Sequence, residues 1–569
     1  MKWGETMKQH YVMPVGVDDF RRVREQYYYV DKTDFIRQLI DGHAQATLIT
    51  RPRRFGKTLS MSMLYYFFSN KNADDNRILF EGTKIEKAGE RYMTEQGSRP
   101  VVFLSLKDIK EDTLEGMLDA FAEIMKEVYY DFSFLLEGET LIPPEKEVFE
   151  AVRSGKASRS NLQFSLKKLT VYLQRYYGKN VVVLVDEYDA PIQFAWDHGY
   201  YEEAIVFVRN YLSSVLKSNP VLDFAVLTGV LRIAKESIFS SLNNLEAASV
   251  VSGTYLDVMG FTFEEIQKMV DDFQVEEKLS EIKDWYDGYN FGGQEIYNPW
   301  SVVNYFKHNC SPAEYWVNTS GNSILGQLLR EAGPDQVKDM YSLLNGGTVR
   351  AQLVEGAIYA DIGKSSRALY SVLLNTGYLT VEDKPRSYAG ARTAMRIPNL
   401  EIRLLFQEEI LNRLAEAGSD ENLLVTITEA LMEGRAEDFA MALGKYLRFA
   451  VSFYDTANRE NFYHGLMLGM LAALVPAFEV LSNRESGYGR FDIAVFPKED
   501  ETAGALLEFK VTEREEDLPE RAKEALAQIA ENEYAAEFQQ RGVQDVWQYG
   551  IAFCGKRCHV EAKSPLDRH

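Results

Sequence analysis

The feature that most restricts how this chain can fold is the succession ATLIT (46–50), RPRRFGKT (51–58) and LSMSMLYYFF (59–68). An apolar β-branched run, a short loop ending in Gly-Lys-Thr and an apolar helical run form the strand–loop–helix context of a phosphate-binding loop. Backbone N–H groups at Arg54, Phe55 and Gly56 and at the helix start would cradle phosphate oxygens. Lys57 would reach the β and γ phosphates, and Thr58 would hold Mg2+. The generic pattern has glycine where this chain has Arg51. On the motif alone, a Gly-Lys-Thr that merely opens a helix remains an alternative.

A second motif weighs against that alternative. VVVLVDE (181–187) is an apolar strand ending in two carboxylates, the usual partner of such a loop. Asp186 would join the Mg2+ shell and Glu187 would polarise the attacking water. The bland reading, a strand stopping in a polar turn, is plausible alone but poor beside Lys57 in one alternating fold. From about residue 45 to 260, ATLIT, PVVFLSL, NVVVLVDEYD and LDFAVLTGV alternate with amphipathic helical stretches, which implies a parallel sheet flanked by helices. The run Val181 to Val185 is apolar without alternation and is expected at the sheet centre. In AVLTGVLR (225–232), Thr228 ends a strand and is the candidate sensor of the γ-phosphate. Arg232 would contact phosphate or a neighbouring subunit in a homo-oligomer, or is a solvated arginine.

At 569 residues the chain exceeds one hydrophobic core, and about three or four compact units are expected. The boundaries read from the pattern are 1–261 for the P-loop domain, 262–450 for a helical lid, and 451–569 for a separate α/β domain. Within the lid, ALYSVLLNTGYLTVED (368–383) suits a helix, a turn and a strand of winged-helix type. In the tail, a helix at 460–480, strands at FDIAVF and GALLEFKV, a helix at 519–531 and a final strand at VWQYGIAF are expected. The longest apolar stretch, Tyr463 to Phe478, contains His464 and Pro476 and reads as a buried helix, not a membrane span. The N-terminus lacks a signal-peptide core, and a start at Met7 is an option. Three cysteines, Cys310, Cys554 and Cys558, are too few and too uneven for a disulfide framework, which suits a reducing cytosol. A net charge of −22 opposes non-specific adhesion to nucleic acid, so any such contact needs a local basic patch.

The tail holds the second chemical centre. In LLEFKV (506–511), Glu508 and Lys510 stand two apart on a strand and so share a face, and Asp492 of GRFDIAVF can join them from a neighbouring strand. Two carboxylates can hold Mg2+ while a lysine orients or deprotonates water, the equipment of a phosphodiesterase. A charged surface hairpin would produce the same short pattern. Cys554, Cys558 and His559 invite a zinc reading, but a structural zinc site needs a fourth ligand. His464 reads as a satisfied core histidine. Tyr65, Tyr66, Phe67 and Phe68 read as helix-on-sheet packing. Arg51, Arg53 and Arg54 are the densest positive charge and suit nucleotide phosphates or an interface better than DNA.

On YVDKT (29–33), RPRRFGKT (51–58), VLVDEYDAPI (183–192) and LTGVLRIAKESIFSSLNNL (227–245), the chain resembles bacterial AAA-ATPase-like proteins that carry a C-terminal PD-(D/E)XK nuclease-superfamily domain. An arginine-rich loop is usual in that family. The likeness extends through RENFYHGLMLGML (459–471), SNRESGYGRFD (482–492), EALAQI with Tyr534, and GIAF (550–553). It implies an ATPase of AAA or related STAND type and a nuclease-like domain whose core matches Asp492, Glu508 and Lys510. By the same matching, Glu460 would complete the metal shell. Gln528 would contact the substrate backbone or position Lys510, or is a helix-packing glutamine.

These readings converge on a multidomain α/β protein: a P-loop parallel sheet, a helical and winged-helix-like middle, and a PD-(D/E)XK-type domain. The expected activity is ATP hydrolysis coupled to Mg2+-dependent cleavage of nucleic acid in the cytoplasm, with DNA favoured by analogy and RNA open. An ATP-driven switch or scaffold that binds nucleic acid or a protein without cutting is the reading from a different class.

Overall fold

A computed structural model describes residues 11–232, 245–316, 325–326, 334–344, 346–354, 366–383, 391–406, 409, 421–450, 459–471, 474, 478–486, 489–498, 503–531 and 536–565. They divide into two compact units. One is drawn from Met1–Thr319 and Arg350–Glu401, the other from Ser320–Val349 and Ile402–His569.

The first unit is built on five parallel strands: β1 (Ala46–Thr50), β2 (Val101–Ser105), β3 (Val181–Asp186), β4 (Leu222–Gly229) and β5 (Leu245–Ala248). Their order across the sheet is β2-β3-β4-β1-β5. The centre is therefore β4, and not β3 as its unbroken apolar run suggests. Every residue of β3 is buried because it has a strand on each side and helices on both faces. Edge strand β5 has the sequence LEAA, which carries no β-branched residue and gives no strand signal.

Successive residues along each strand feed opposite layers. Leu48, Val183, Val185 and Leu227 pack under α1 (Leu114–Asp131), α2 (Arg159–Tyr177) and α3 (Tyr201–Leu216). Ile49, Leu184 and Val226 pack on the other side with Met61, Leu64, Phe67 and Phe68 of the helix Lys57–Phe68. The aromatic stripe thus serves helix-on-sheet packing, with the Tyr66 hydroxyl donating to Asp19 at 2.9 Å.

YVDKT is a staple. The Asp31 carboxylate accepts from the Thr33 N–H at 2.9 Å and the Lys84 N–H at 2.6 Å, while Lys32 pairs with Glu265 at 2.5 Å. The same unit contains the hairpin β6 (Tyr289–Phe291) and β7 (Gln294–Ile296), and the helices Pro299–Lys307 and Ser366–Thr376. After Ser366–Thr376 the chain turns at Gly377 into β8 (Thr380–Val381), which pairs antiparallel with β9 (Thr393–Arg396). A helix, a turn and a strand are what 368–383 leads one to expect.

The second unit contains a mixed sheet of β10 (Phe478–Ser486), β11 (Gly489–Pro497), β12 (Gly504–Val511), β13 (Val546–Cys554) and β14 (Arg557–Lys563), in that order. Only β12 and β13 run parallel, and the helix Leu518–Glu531 connects them. Phe491, Ala494, Phe496, Leu506, Ile529 and Val546 form its core. Two strands differ from expectation. The expected helix over 460–480 ends at Leu471, and β10 begins at Phe478, where buried Phe478 and Val480 flank exposed Glu479 with period two. VWQYGIAF is not the last strand, because Gly555 in a left-handed turn (φ +57°) returns the chain into β14. Among the described residues, no helix is long and apolar enough to cross a membrane.

Candidate functional site

The loop after β1 is shaped by where its side chains go. The Arg51 N–H donates to the Gly229 carbonyl at 3.1 Å, continuing the β1–β4 ladder. The Arg51 guanidinium turns away from the loop mouth and is fully buried. It donates to the carbonyls of Thr50, Ala248 and Tyr255 at 2.9, 3.1 and 2.5 Å and lies 5.0 Å from the Phe291 ring centre. Burial lowers its pKa to about 10. Where generic loops have glycine, this arginine is a strut for the sheet edge; it is not part of a surface cluster with Arg53 and Arg54.

Arg53 donates to Gln193 at 2.9 Å, and the Arg54 guanidinium lies 3.8 Å over the Trp300 ring. Phe55 is fully buried between Tyr289 and Phe291, at ring separations of 5.1 and 5.5 Å. With these side chains drawn outward, the backbone of Arg54 is left-handed (φ +66°), as is that of Gly56 (φ +82°), which caps the helix Lys57–Phe68. A Cβ at Gly56 would meet nothing, so the backbone angle, not crowding, is what calls for glycine.

Lys57 is buried and donates to the carbonyls of Arg51 and Pro52 at 3.2 and 2.9 Å. Burial lowers its pKa, against the opposing pull of Glu187, Asp186 and Asp189. Asp186, at the end of β3, is fully buried and accepts from Thr58 Oγ1 at 2.7 Å and Thr228 Oγ1 at 2.5 Å. Glu187 is left-handed (φ +50°), and its N–H reaches Thr228 Oγ1 at 3.4 Å. For a residue with a Cβ that conformation costs about 1 kcal/mol, and such strain gathers at functional sites. Lys57, Thr58, Asp186, Glu187 and Thr228 therefore come together at the carboxyl ends of β1, β3 and β4, where ligands of open α/β sheets bind.

One residue here escaped the sequence reading. Buried Asp189 accepts from the Val230 and Leu231 N–H groups at 2.9 and 2.8 Å, tying the loop after β4 to the segment after β3. Burial raises its pKa to about 6. Its closeness explains Gly229, where a Cβ would lie 2.6 Å from Asp189 Oδ1. Arg232 is partly buried, and residues 233–244 of the motif that follows lie outside the described residues.

In the second unit, β11 and β12 are registered at Ile493↔Leu507, one step from Asp492 and Glu508. Asp492 Oδ2 accepts the Phe509 N–H at 2.7 Å. Glu508 is buried at 3% exposure; Gln528 Nε2 donates to its Oε1 at 2.5 Å, and Lys510 Nζ donates to Gln528 Oε1 at 2.5 Å. Gln528 thus bridges Glu508 and Lys510 and fixes their spacing. Buried His464 bonds the Asp492 carbonyl at 3.0 Å and meets Phe509 edge-on, which makes it a packed histidine that docks its helix beside the cluster. Glu460 belongs to the first turn of the helix Arg459–Leu471, and its side chain lies outside the described residues, as does Tyr534. Cys554 and Cys558 flank the β13–β14 turn. Cys558 Sγ is 3.9 Å from the Ala440 carbonyl, and burial raises its pKa to about 12. His559 faces Glu561 at 3.2 Å.

Comparison with known proteins matches two stretches of the chain. A family model described as a predicted AAA-ATPase, AAA-ATPase-like, matches residues 14–239, and one for the PD-(D/E)XK nuclease superfamily matches residues 458–563. A relative from Azotobacter chroococcum mcd 1, described as an uncharacterized protein in the vnfD 5' region, is 29% identical over 554 residues, covering 93% of this chain and 94% of its own. The first match spans the loop, the acidic end of β3 and Thr228, and the second spans Asp492, Glu508 and Lys510: the chain carries an AAA-ATPase-like domain followed by a PD-(D/E)XK nuclease-superfamily domain.

Proposed function

We propose that the N-terminal domain binds and hydrolyses ATP and that its nucleotide state controls cleavage of nucleic acid, DNA in the first instance, by the C-terminal domain. The observation that carries this reading is Asp186, a fully buried carboxylate held between the hydroxyls of Thr58 and Thr228, beside Lys57 and Glu187. Lys57 would leave its loop carbonyls for the β and γ phosphates, and Thr228 would sense the γ-phosphate. Glu187 would orient the water whose oxygen attacks the γ-phosphorus as the bond to the ADP oxygen breaks.

Both centres offer hard oxygen donors, which suit Mg2+: Thr58 and Asp186 in one, Asp492 and Glu508 in the other, where Glu460 would be a further ligand on the family resemblance alone. When bound, the ion supplies positive charge to phosphate oxygens. In the second centre Lys510 would orient the attacking water, and Gln528 would hold Lys510 against Glu508.

The net charge of −22 favours a second reading, an ATP-driven switch whose C-terminal domain binds a partner without cutting. Incubating the purified chain with DNA and RNA panels, with and without ATP and Mg2+, separates the two. Cleavage that needs Mg2+ and responds to ATP is expected. No cleavage of either nucleic acid, with Mg2+ or Mn2+ and ATP present, would leave the switch.

A further inference from the structure

Two tryptophans from outside the phosphate-binding loop touch it, and one buried carboxylate holds the segments that carry both. Trp300 lies under the Arg54 guanidinium at 3.8 Å. The Trp316 indole N–H donates to the Arg53 carbonyl at 3.2 Å. Ser301, the next residue after Trp300 in the first turn of the helix Pro299–Lys307, donates its hydroxyl to Glu401 Oε2 at 2.7 Å. The Trp316 backbone N–H donates to Glu401 Oε1 at 2.6 Å. Glu401 is fully buried, in a helical stretch that starts at residue 400.

The loop needs such a brace. Gly56 is its one glycine, and the left-handed angle two residues earlier falls on Arg54, held at φ +66°. Without outside contacts, Arg54 would relax toward the ordinary right-handed or extended regions. Its amide and those around it would then turn away from a common centre.

We propose that Glu401 is a positioning residue for the nucleotide loop, holding Trp300 and Trp316 so that Arg53 and Arg54 stay in the conformation that presents the loop amides to phosphate. This rests on the reading that the loop holds ATP. Glu401 touches neither nucleotide nor reacting atoms. Losing it lowers the fraction of loops ready to bind, which raises the apparent Kd in inverse proportion to that fraction. The chemistry of a loop that has bound is unchanged, so KM rises while kcat holds.

The test compares the full-length wild type with Glu401→Ala, Glu401→Gln and Trp316→Phe. In nucleotide-free protein, hydrogen exchange over residues 51–58 should accelerate in Glu401→Ala while exchange over 181–186 stays the same. Glu401→Gln should behave as wild type, because its amide oxygen still accepts from Trp316 and the Ser301 hydroxyl can turn to accept from its NH2. Trp316→Phe removes the indole N–H with part of the buried ring, leaves both Glu401 hydrogen bonds in place, and should move the loop in the same direction by less. With ATP, the Glu401→Ala KM should rise about tenfold with kcat within about twofold.

A folded Glu401→Ala with wild-type exchange over 51–58, or one that loses kcat at unchanged KM, overturns the proposal. If Glu401→Ala does not fold, Trp316→Phe decides, and wild-type exchange and affinity in that variant overturn it equally. If the wild type binds no ATP, the ATPase reading fails, and the exchange measurement alone judges the brace.

Discussion

Lys57 is buried with its ammonium on two loop carbonyls and three carboxylates nearby, and a bound phosphate would take the place of those carbonyls. Lys57→Ala is expected to remove ATP binding in calorimetry; unchanged affinity would dismiss the loop as a phosphate site. Glu401 makes a prediction about stability. Burial raises its pKa to about 7, above the usual value for a glutamate. A carboxylate raised in the folded state contributes stability below its unfolded pKa, and that contribution is lost as pH rises through the folded pKa. Stability should therefore fall between about pH 4.5 and 7, by on the order of 3 kcal/mol from this residue. Glu401→Gln should flatten that fall in denaturant titrations at pH 5 and pH 7.5. A slope equal to wild type would mean that Glu401 titrates normally.

At the scale of elements, the loop after β1 is anchored by side chains. Phe55 fills the space between Tyr289 and Phe291, and Gly377 (φ +90°) brings its turn so near Pro52 that a Cβ there would lie 2.8 Å from the proline Cβ. Phe55→Ala should cost about 3 kcal/mol or more of unfolding free energy, the usual effect of emptying a buried aromatic site. A loss below about 1 kcal/mol would mean that the hairpin β6–β7 does not brace the loop.

The same elements show what could be read in advance. The loop, Asp186, Glu187 and Thr228 were legible because strand ends and helix starts leave local signals: a β-branched run, then an acid or a Gly-Lys-Thr. The run of β3 announces two covered faces but not how many strands lie beyond it, so it does not fix the strand's rank in the sheet. Strand β5 has the composition of a helix and becomes a strand by pairing with β1. The period of two in β10 was present but was absorbed into the preceding apolar stretch. The inward turn of Arg51 and the contacts of Trp300, Trp316 and Glu401 join segments far apart in the chain. No spacing or period encodes such hydrogen bonds.

At the scale of the whole molecule, each compact unit has its own sheet, core and cluster of chemical groups, so the two chemistries should be separable by mutation. Asp492→Ala should eliminate nucleic-acid cleavage while ATP turnover stays within about twofold of wild type. It also strips the Phe509 N–H of its acceptor, at a local cost of about 1 kcal/mol, so its folding should be checked by thermal melting. Lys510→Ala should stop cleavage without that cost to Phe509. Cleavage undiminished in Asp492→Ala would reassign the metal-holding residues.

The central claim is that Asp186, Thr58, Lys57 and Glu187 form an ATP-hydrolysing centre, and it is tested most directly by ATP binding and turnover measured together in Glu187→Gln. The amide keeps the shape but cannot serve as the carboxylate that orients water. ATP should bind with affinity within about threefold of wild type, while turnover falls by about 10²-fold or more. Turnover at the wild-type rate with ATP bound would contradict the assignment.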